Sequence, residues 1–236
     1  MGLLASLRSP VSAVSDVWRA DHPWASFYDF VVERERLAGT VWKLGVGTDI
    51  RLLYAATEEI GRQPEGATIL DIPCGGGVAL RGLARSQSVR YVAADISPAM
   101  LKRTKANARR RGLDQIEVVE ADVEALPFGD GEFDLIATFT GLHCFPRPAR
   151  AVEELARVLA PGGVITGSLL LTDTGLRHEP VRRLGRLGGL LGPSGSRAEV
   201  KRWLADAGLI EVELTSSGAI GYFRARRPSR SRYLDD

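Results

Sequence analysis

Cysteine and histidine are both scarce in this sequence of 236 residues. It contains two cysteines, Cys74 and Cys144, and three histidines, and these form no dense Cys/His cluster. Two cysteines cannot build the disulfide framework of a small secreted domain, and so low a count is typical of a reducing compartment. The absence of a Cys/His cluster also disfavours a zinc site. We therefore expect a cytoplasmic protein that binds no metal.

Long apolar runs are missing as well. No stretch of the sequence approaches the roughly 18 apolar residues that a membrane-spanning helix needs. Near the N-terminus, the apolar residues within 3–7 are too few for the core of a signal peptide, and Arg8 interrupts them. The sequence therefore predicts no membrane span.

Neither sign of charge is in large excess. The sequence has 31 basic and 29 acidic residues and a formal net charge of +2. This small net charge does not favour binding to nucleic acid. One local exception is a group of C-terminal arginines, which we interpret as a solvated terminus, with a contact to RNA or to an anionic lipid as the alternative. Its members are Arg224, Arg226, Arg227, Arg230 and Arg232.

Composition and length indicate one globular domain with a modest appendage. The sequence is 44% hydrophobic and 25% charged, which is close to the average of soluble domains. Residues 1–64 lack the alternating pattern of strands, and three of the four tryptophans precede the first clear strand. We therefore predict an N-terminal helical cap over residues 1–64 and a main domain over residues 65–236.

Within the main domain, short apolar strands alternate with helical segments. This alternation is typical of an α/β, doubly wound, Rossmann-like sheet that is mostly parallel, and the last two strands predict an antiparallel C-terminal hairpin. Residues 172–195 interrupt the pattern and are predicted to form a lid insertion. The seven predicted strands are 67–72, 89–94, 116–119, 133–139, 164–171, 210–215 and 219–225. The predicted helices are one through Leu80 to Ala84 and three at 98–111, 148–159 and 197–207.

The loop after the first strand is the leading candidate for a binding site, because doubly wound sheets bind ligands at the carboxyl ends of their strands. This loop runs from Asp71 to Gly77 and contains three consecutive glycines, which let the backbone approach a ligand closely. Asp95 ends the second strand and can accept hydrogen bonds from ribose hydroxyls. Leu80 stands where the third glycine of a dinucleotide-binding loop would be. The residues therefore favour an adenosyl cofactor over a dinucleotide.

Four ordered motifs, over roughly residues 66–172, resemble those of class I S-adenosylmethionine-dependent methyltransferases. Residues 69–77 resemble the first motif of that family, and residues 94–100 resemble its second-strand motif. Residues 120–128, with 133–136, resemble the adenine-binding stretch, and LARVLAPGGV at 155–164 resembles the turn into the fifth strand. The likeness is closest to the branch that includes ubiquinone and menaquinone methyltransferases. It implies S-adenosylmethionine as cofactor and S-adenosylhomocysteine as product.

The resemblance also implies a role for individual residues of the cofactor site. Asp71 and the backbone of Gly75 and Gly77 would face the methionine end of the cofactor, and Asp95 would hold the ribose. The remaining cofactor-binding residues would be Ile96 and Met100 at the adenine, Asp122 and Val123 at its polar edge, Phe139 and Thr140 near the sulfonium, and Pro73 and Cys74 in the loop. Ile96, Met100 and Val123 are also compatible with ordinary core packing.

Two features depart from the family pattern. Pro73 occupies the place where the family often has its first glycine, and it removes one backbone donor from the loop. His143 lies where the family's Leu-His-His pattern falls, but its second histidine is Cys144 here. We therefore expect His143 to be either a catalytic base or acceptor-orienting group, or a structural histidine.

The acceptor pocket is expected to come from segments outside the four motifs. Trp24, Tyr28 and His22 of the cap and His178 of the lid insertion are candidates for its wall, with core packing as the alternative for the aromatic residues. The sequence thus favours methyl transfer to a small, lipophilic or aromatic acceptor by a monomer or homodimer. Methylation of RNA or protein, and non-catalytic binding of a nucleotide cofactor, are the alternatives.

Overall fold

A computed structural model describes residue 39 and residues 42–229 of the chain, and it contains one seven-stranded sheet. The strands are β1 (Thr68–Asp71), β2 (Arg90–Asp95), β3 (Ile116–Glu120), β4 (Phe133–Phe139), β5 (Leu159–Leu170), β6 (Ile210–Ser217) and β7 (Ile220–Arg226). The helices are α1 (Ile50–Gly61), α2 (Pro98–Arg111), α3 (Pro148–Val158), α4 (Glu179–Leu187) and α5 (Arg197–Asp206). Two short 3-10 helices cover Val78–Gly82 and Leu176–His178.

The strand order is β3-β2-β1-β4-β5-β7-β6. Strands β1 to β5 are parallel to one another, and β7 is antiparallel to both β5 and β6. The predicted doubly wound sheet and its C-terminal hairpin are therefore confirmed. The order reverses between β1 and β4, and in such sheets this switch point is where ligands bind.

The central strands are apolar on both faces because helices cover both sides of the sheet. Ile69 and Leu135 pack into one core with α1 and α2. Leu70 and Ile136 point to the opposite face, into a core completed by α3 and α5. The continuous apolar composition of β1 and β4 follows directly from this double burial.

The boundaries of α2 follow its capping residues. Pro98 occupies the first turn, where no backbone donor is needed, and Gly112 ends the helix with a left-handed φ of 65°. The observed bounds are those predicted from the sequence, 98–111. In contrast, the helix predicted through Leu80 is only the 3-10 turn Val78–Gly82, because α1 packs directly against it. A Cβ atom on Gly82 would lie 1.9 Å from the carbonyl oxygen of Thr57.

The C-terminal arginines are not a solvated tail where the structure describes them. Arg224 and Arg226 belong to β7, and they pair with Glu59 and Glu211 respectively. The guanidinium of Arg227 donates to the carbonyl oxygens of Arg157 and Leu159. The expectation of a frayed terminus is therefore wrong for these three residues, since their side chains stabilise the edge of the sheet. Arg230 and Arg232 lie outside the described residues.

The described residues contain neither a helix that could span a membrane nor a group of side chains suited to a metal ion. None of the helices at residues 42–229 is long and apolar enough to cross a membrane. Within the same range, no three His, Cys, Asp or Glu side chains are grouped in a way that could hold a metal ion.

Candidate functional site

A cavity of about 630 Å³ lies at the carboxyl ends of β1, β2 and β4, beside the point where the strand order reverses. One part of its wall is the glycine loop, the residues that follow β2 and β3, and polar side chains that include Arg81 and Arg111. The rest of the wall is mostly apolar and comes from residues 42–46, the segment after β4, Leu170 of β5, the insertion after β5, and Ile220 of β7. The position agrees with the rule for ligand binding in doubly wound sheets.

The glycine loop is held open towards the cavity by its own backbone. Gly75 and Gly77 have φ angles of 51° and 89°, which side-chain-bearing residues rarely adopt. A Cβ atom on Gly75 would meet no other atom within 4 Å, so the loop presents bare backbone to open space. The amide of Cys74 donates to the carbonyl of Ala94 at 2.8 Å and ties the loop to β2.

Two buried polar side chains of α2 support this loop from behind. The Thr104 hydroxyl donates to the carbonyl of Gly75 at 2.6 Å, and the Asn107 amide donates to the carbonyl of Gly76 at 3.0 Å. Sequence reasoning did not identify either residue as part of the site. A signal was present, because Met100, Thr104 and Asn107 recur at helical spacing on the buried face, where polar residues need partners.

Asp95 connects the loop to the end of β2. One carboxylate oxygen accepts from the amide of Gly75 and the other from the amide of Ser97, both at 2.9 Å. The side chain lines the cavity and is only 5% exposed. A carboxylate has about four lone-pair sites, so a group held in this way can also accept from the hydroxyls of a bound ribose.

Asp71 does not line the cavity. Its carboxylate accepts a hydrogen bond from the Tyr91 hydroxyl at 2.9 Å, and both residues are fully buried beneath the loop. The pKa of Asp71 is raised to about 8, chiefly by burial; the hydrogen bond from Tyr91 opposes this shift and the nearby Asp95 charge adds to it. The structure therefore places Asp71 as a support of the loop, one layer behind the wall.

The predicted adenine-binding residues all belong to the cavity wall. Ile96, Met100, Asp122 and Val123 all line the wall. One carboxylate oxygen of Asp122 accepts from the amide of Glu124 at 3.0 Å, which fixes the side chain at the start of a turn. The four residues thus combine an apolar slot with a polar edge, which suits a purine ring.

Phe139 and Thr140 reach the cavity at the end of β4. Thr140 has a φ of 55°, a left-handed conformation that is unusual for a β-branched residue. Its amide donates to the buried hydroxyl of Ser168 at 3.0 Å, which holds the chain in this conformation. Backbone strain of this kind concentrates at functional sites.

His143 lines the cavity, and one of its ring nitrogens already accepts a hydrogen bond from the backbone. The amide of Leu170 donates to Nδ1 at 3.1 Å, so Nδ1 is an acceptor and the proton of the neutral ring is on Nε2. Burial lowers the pKa of His143 to about 4. Near neutral pH this histidine is therefore a hydrogen-bond donor through Nε2 and not a proton acceptor.

Pro73 and both cysteines also line the cavity. Pro73 packs against Gly141, where an added Cβ atom would lie 2.5 Å from the proline Cδ, so the proline shapes the wall between β1 and β4. Burial raises the pKa of Cys144 to about 12 and raises that of Cys74 well above the usual value. Both thiols therefore stay protonated and apolar in character.

Sequence reasoning did not name the individual residues of the apolar wall. Trp42 and five of the eight further residues nevertheless lie in the cap and the insertion, where the acceptor pocket was expected. The eight are Val46, Phe145, Leu170, Val181, Leu184, Leu190, Leu191 and Ile220. His178 is outside the wall: it is buried, its Nδ1 lies 3.1 Å from the carbonyl oxygen of Thr174, and its Nε2 faces Gly47. Trp24, Tyr28 and His22 lie outside the described residues.

The insertion after β5 is fastened to the loop that carries His143. The amide of Gly192 donates to the carbonyl of His143 at 2.8 Å, and a Cβ atom at Gly192 would lie 2.3 Å from the carbonyl oxygen of Phe145. Only glycine allows so close an approach. Residues between Val181 and Leu191 of this insertion line the cavity.

Comparison with known proteins agrees with this geometry. Residues 69–163 match the family model described as a methyltransferase domain. This stretch of the chain is therefore similar to a methyltransferase domain. The domain is 38% identical over 121 residues to a demethylmenaquinone methyltransferase of Thermus thermophilus, an alignment that covers 51% of this chain and 54% of that protein. The alignment with a demethylmenaquinone methyltransferase of Clavibacter sepedonicus, at 39% identity over 122 residues, covers 48% of that protein. The chain therefore spans about half the length of these curated relatives.

A solved structure extends the likeness to the whole fold. A chain of the complex between the Haloferax volcanii Trm112 methyltransferase activator and its methyltransferase superposes with a TM-score of 0.68 at 20% identity, covering 93% of this chain and 100% of that one. The [4+2]-cyclase SpnF has a TM-score of 0.65 at 19% identity over 87% and 95% of the two chains. Likeness at these identities shows a shared fold and does not by itself assign a reaction.

Proposed function

We propose that the protein transfers a methyl group from S-adenosylmethionine to a small, lipophilic or aromatic acceptor. The observation that carries the proposal is a single cavity with two chemically different parts. One part has bare glycine backbone and the fixed carboxylate of Asp95, and the other is apolar. A charged nucleoside cofactor suits the first part, and an apolar acceptor suits the second.

The residues present fit the cofactor. The bare backbone at Gly75 leaves room that a Cβ atom would fill, Asp95 offers a carboxylate for the ribose, and Ile96 with Met100 offers an apolar slot for the adenine. When bound, S-adenosylmethionine supplies an activated methyl group on a sulfonium centre. The chain's own task is then to orient the acceptor and exclude water.

His143 orients the acceptor in this proposal. Because Nδ1 accepts from Leu170, Nε2–H is the group that faces an acceptor oxygen or nitrogen. The two thiols in the wall stay protonated, so neither serves as a base. We infer that the acceptor atom is nucleophilic without proton removal by His143 or the thiols, either because it ionises easily or because it carries a lone pair.

The domain division is part of the same proposal. Residues 1–64 would act as a cap and residues 172–195 as a lid, and both would close the apolar part of the cavity. Trp42 and Val46 already belong to its wall. A cytoplasmic location also remains part of the proposal, since the low cysteine count is typical of a reducing compartment.

Calorimetry tests the choice of cofactor. We expect the protein to bind S-adenosylmethionine and S-adenosylhomocysteine but not NAD. The Asp95→Ala variant should weaken binding by at least about tenfold, since each lost hydrogen bond to a charged group contributes about 1.5–3 kcal/mol. The exposed carboxylate of Asp206 provides a control, and Asp206→Ala should bind normally. Tight NAD binding would contradict the proposal.

A second experiment tests transfer itself. The protein is incubated with S-adenosylmethionine carrying a labelled methyl group and with aqueous and lipid-soluble fractions of a cell extract. Label in a small lipid-soluble product is the expected result. Label in RNA or protein would favour the alternative acceptors, and cofactor binding with no label transfer to any fraction would favour a non-catalytic role.

A further inference from the structure

Helix α4 (Glu179–Leu187) has its polar and apolar sides reversed relative to an ordinary surface helix. Its one buried side chain is an arginine, Arg182, whereas Leu184 and Leu187 are 70% and 78% exposed. Leu176, in the 3-10 turn immediately before the helix, is 87% exposed. Surface helices normally bury leucine and expose arginine, so the fold itself does not account for these leucines.

Arg182 accounts for the inward side of the helix. Its guanidinium donates to the carbonyl of Leu171 at 3.3 Å, to the hydroxyl of Thr174 at 3.0 Å and to the carbonyl of Gly175 at 3.1 Å. It also pairs with Glu179 at 2.9 Å. The first three contacts fasten α4 to the segment just after β5, and the pair with Glu179 holds the guanidinium within the helix. The outward direction of the leucines is therefore a fixed property of the helix.

The exposed leucines form one face with cationic borders. Pro180, Leu184 and Leu187 recur at i, i+4 and i+7, which places them on the same side of the helix. Segment 176–187 contains four arginines and a single acidic residue. Arg182 is buried, and the exposed arginines are Arg177, Arg183 and Arg186, of which Arg186 lies 3.5 Å from Glu179.

An apolar face bordered by arginines is complementary to the surface of an anionic bilayer. Leucine side chains can enter the acyl boundary while the guanidinium groups stay at the level of the lipid phosphates. A soluble acidic partner would satisfy the arginines but leave the leucines without a matching surface. The combination of both features favours a lipid surface.

The same helix forms part of the cavity mouth. Val181 and Leu184 line the apolar part of the cavity, so the exposed face and the cavity wall are continuous. We propose that α4 docks the protein on an anionic membrane surface and opens the apolar part of the cavity towards lipid. This inference rests on the proposed function, because the docking would let a lipophilic acceptor dissolved in the bilayer enter the cavity.

Vesicle flotation with the full-length protein tests the proposal without any methyl transfer. We expect the protein to bind vesicles of phosphatidylcholine that contain roughly one third phosphatidylglycerol, a fraction that gives a marked negative surface potential. Binding to pure phosphatidylcholine should be weaker, and binding to the anionic vesicles should be lost as the salt concentration is raised. The double variant Leu176→Ser/Leu187→Ser changes two residues that do not line the cavity. It should lose binding by about tenfold or more, as expected when two leucines no longer enter the apolar phase. Ile210→Ser, which changes an exposed apolar residue of β6, should bind like the parent.

Several outcomes would overturn the proposal. Equal vesicle binding by the parent and the double variant would show that this face is not used. A dimer that dissociates in the double variant, with no vesicle binding, would show that a second copy covers the face. A lower unfolding temperature in the double variant, again without vesicle binding, would show that another part of the chain covers it. If S-adenosylmethionine binding measured on the same samples is normal, a failure of docking is distinguished from a failure of the proposed function.

Discussion

The backbone amide of Leu170 donates to Nδ1 of His143 at 3.1 Å, across the gap between the end of β5 and the loop after β4. This bond assigns the tautomer of the ring, because the nitrogen that accepts cannot carry the proton. The remaining proton is on Nε2. A histidine of this kind is a donor, which separates two roles that the sequence alone left open.

Substitution of His143 tests the donor role. Glutamine has an amide N–H that can replace Nε2–H but has no basic nitrogen, so His143→Gln should keep kcat/KM within about threefold. His143→Leu removes the donor and should lower kcat/KM about tenfold, mainly through KM, since one hydrogen bond contributes about 1 kcal/mol or somewhat more. Steady-state kinetics with the labelled cofactor measures both. If the glutamine variant is as impaired as the leucine variant, His143 acts as a base.

The buried pair of Asp71 and Tyr91 predicts a pH dependence of stability. Burial raises the pKa of folded Asp71 to about 8, whereas an unfolded aspartate has a pKa near 4. The unfolded chain therefore releases this proton first, so the contribution of Asp71 is fully present below pH 4 and is lost as the pH rises from about 4 to 8. Asp71→Asn has no such proton and should exceed the parent's unfolding free energy at pH 8 by about 1–3 kcal/mol.

Urea unfolding at pH 4.5, 6 and 8 measures this difference. The advantage of Asp71→Asn should shrink as the pH falls, because the parent keeps its proton in the acidic samples. Asp206→Asn changes an exposed carboxylate and should follow the parent at every pH. An asparagine variant that is less stable than the parent at pH 8 would mean that Asp71 is ionised in the folded protein.

The contact between α1 and the 3-10 turn predicts a large effect of a single methyl group. At Gly82, a Cβ atom would lie 1.9 Å from the carbonyl oxygen of Thr57, so Gly82→Ala must push the two backbones apart. We expect a loss of about 1–3 kcal/mol in unfolding free energy. Gly129→Ala is the matched control, because its Cβ atom would meet only the Glu132 carboxylate at 3.7 Å; it should change stability by less than about 0.5 kcal/mol. Equal effects of the two substitutions would refute the close contact.

Removal of the arginine that fastens α4 should loosen the lid without unfolding the sheet. Arg182→Leu leaves the carbonyls of Leu171 and Gly175 without this donor, at a cost of about 1–3 kcal/mol to the local structure. Trypsin cleavage after Arg183 and Arg186 should become about tenfold faster or more, while the global unfolding temperature changes little. Mass spectrometry of timed digests identifies the sites, and cleavage at the parental rate would contradict the assigned role.

Much of the fold could be predicted from local sequence patterns. The apolar segments of β1 and β4, the Pro98 and Gly112 caps, and the hairpin of β6 and β7 are encoded by neighbouring residues, so periodicity and turn chemistry were sufficient. The helix predicted through Leu80 was wrong because the packing of α1 against Gly82 is not visible in local periodicity. The positions of Arg224, Arg226 and Arg227 were misjudged for a similar reason, since their partners are distant along the chain.

The sequence by itself determined the order of the strands along the chain, the glycine loop and the carboxylate of Asp95 that follows β2. These features depend on residues close together in the chain, and the local backbone brings them to the cavity. Only the tertiary structure decided that Asp71 lies behind the wall, that Nδ1 of His143 is an acceptor, and that residues from five separate segments form the apolar part of the cavity. Each of these depends on a hydrogen bond or a packing contact between residues far apart in sequence, and such partners are chosen only when the sheet and its helices have assembled.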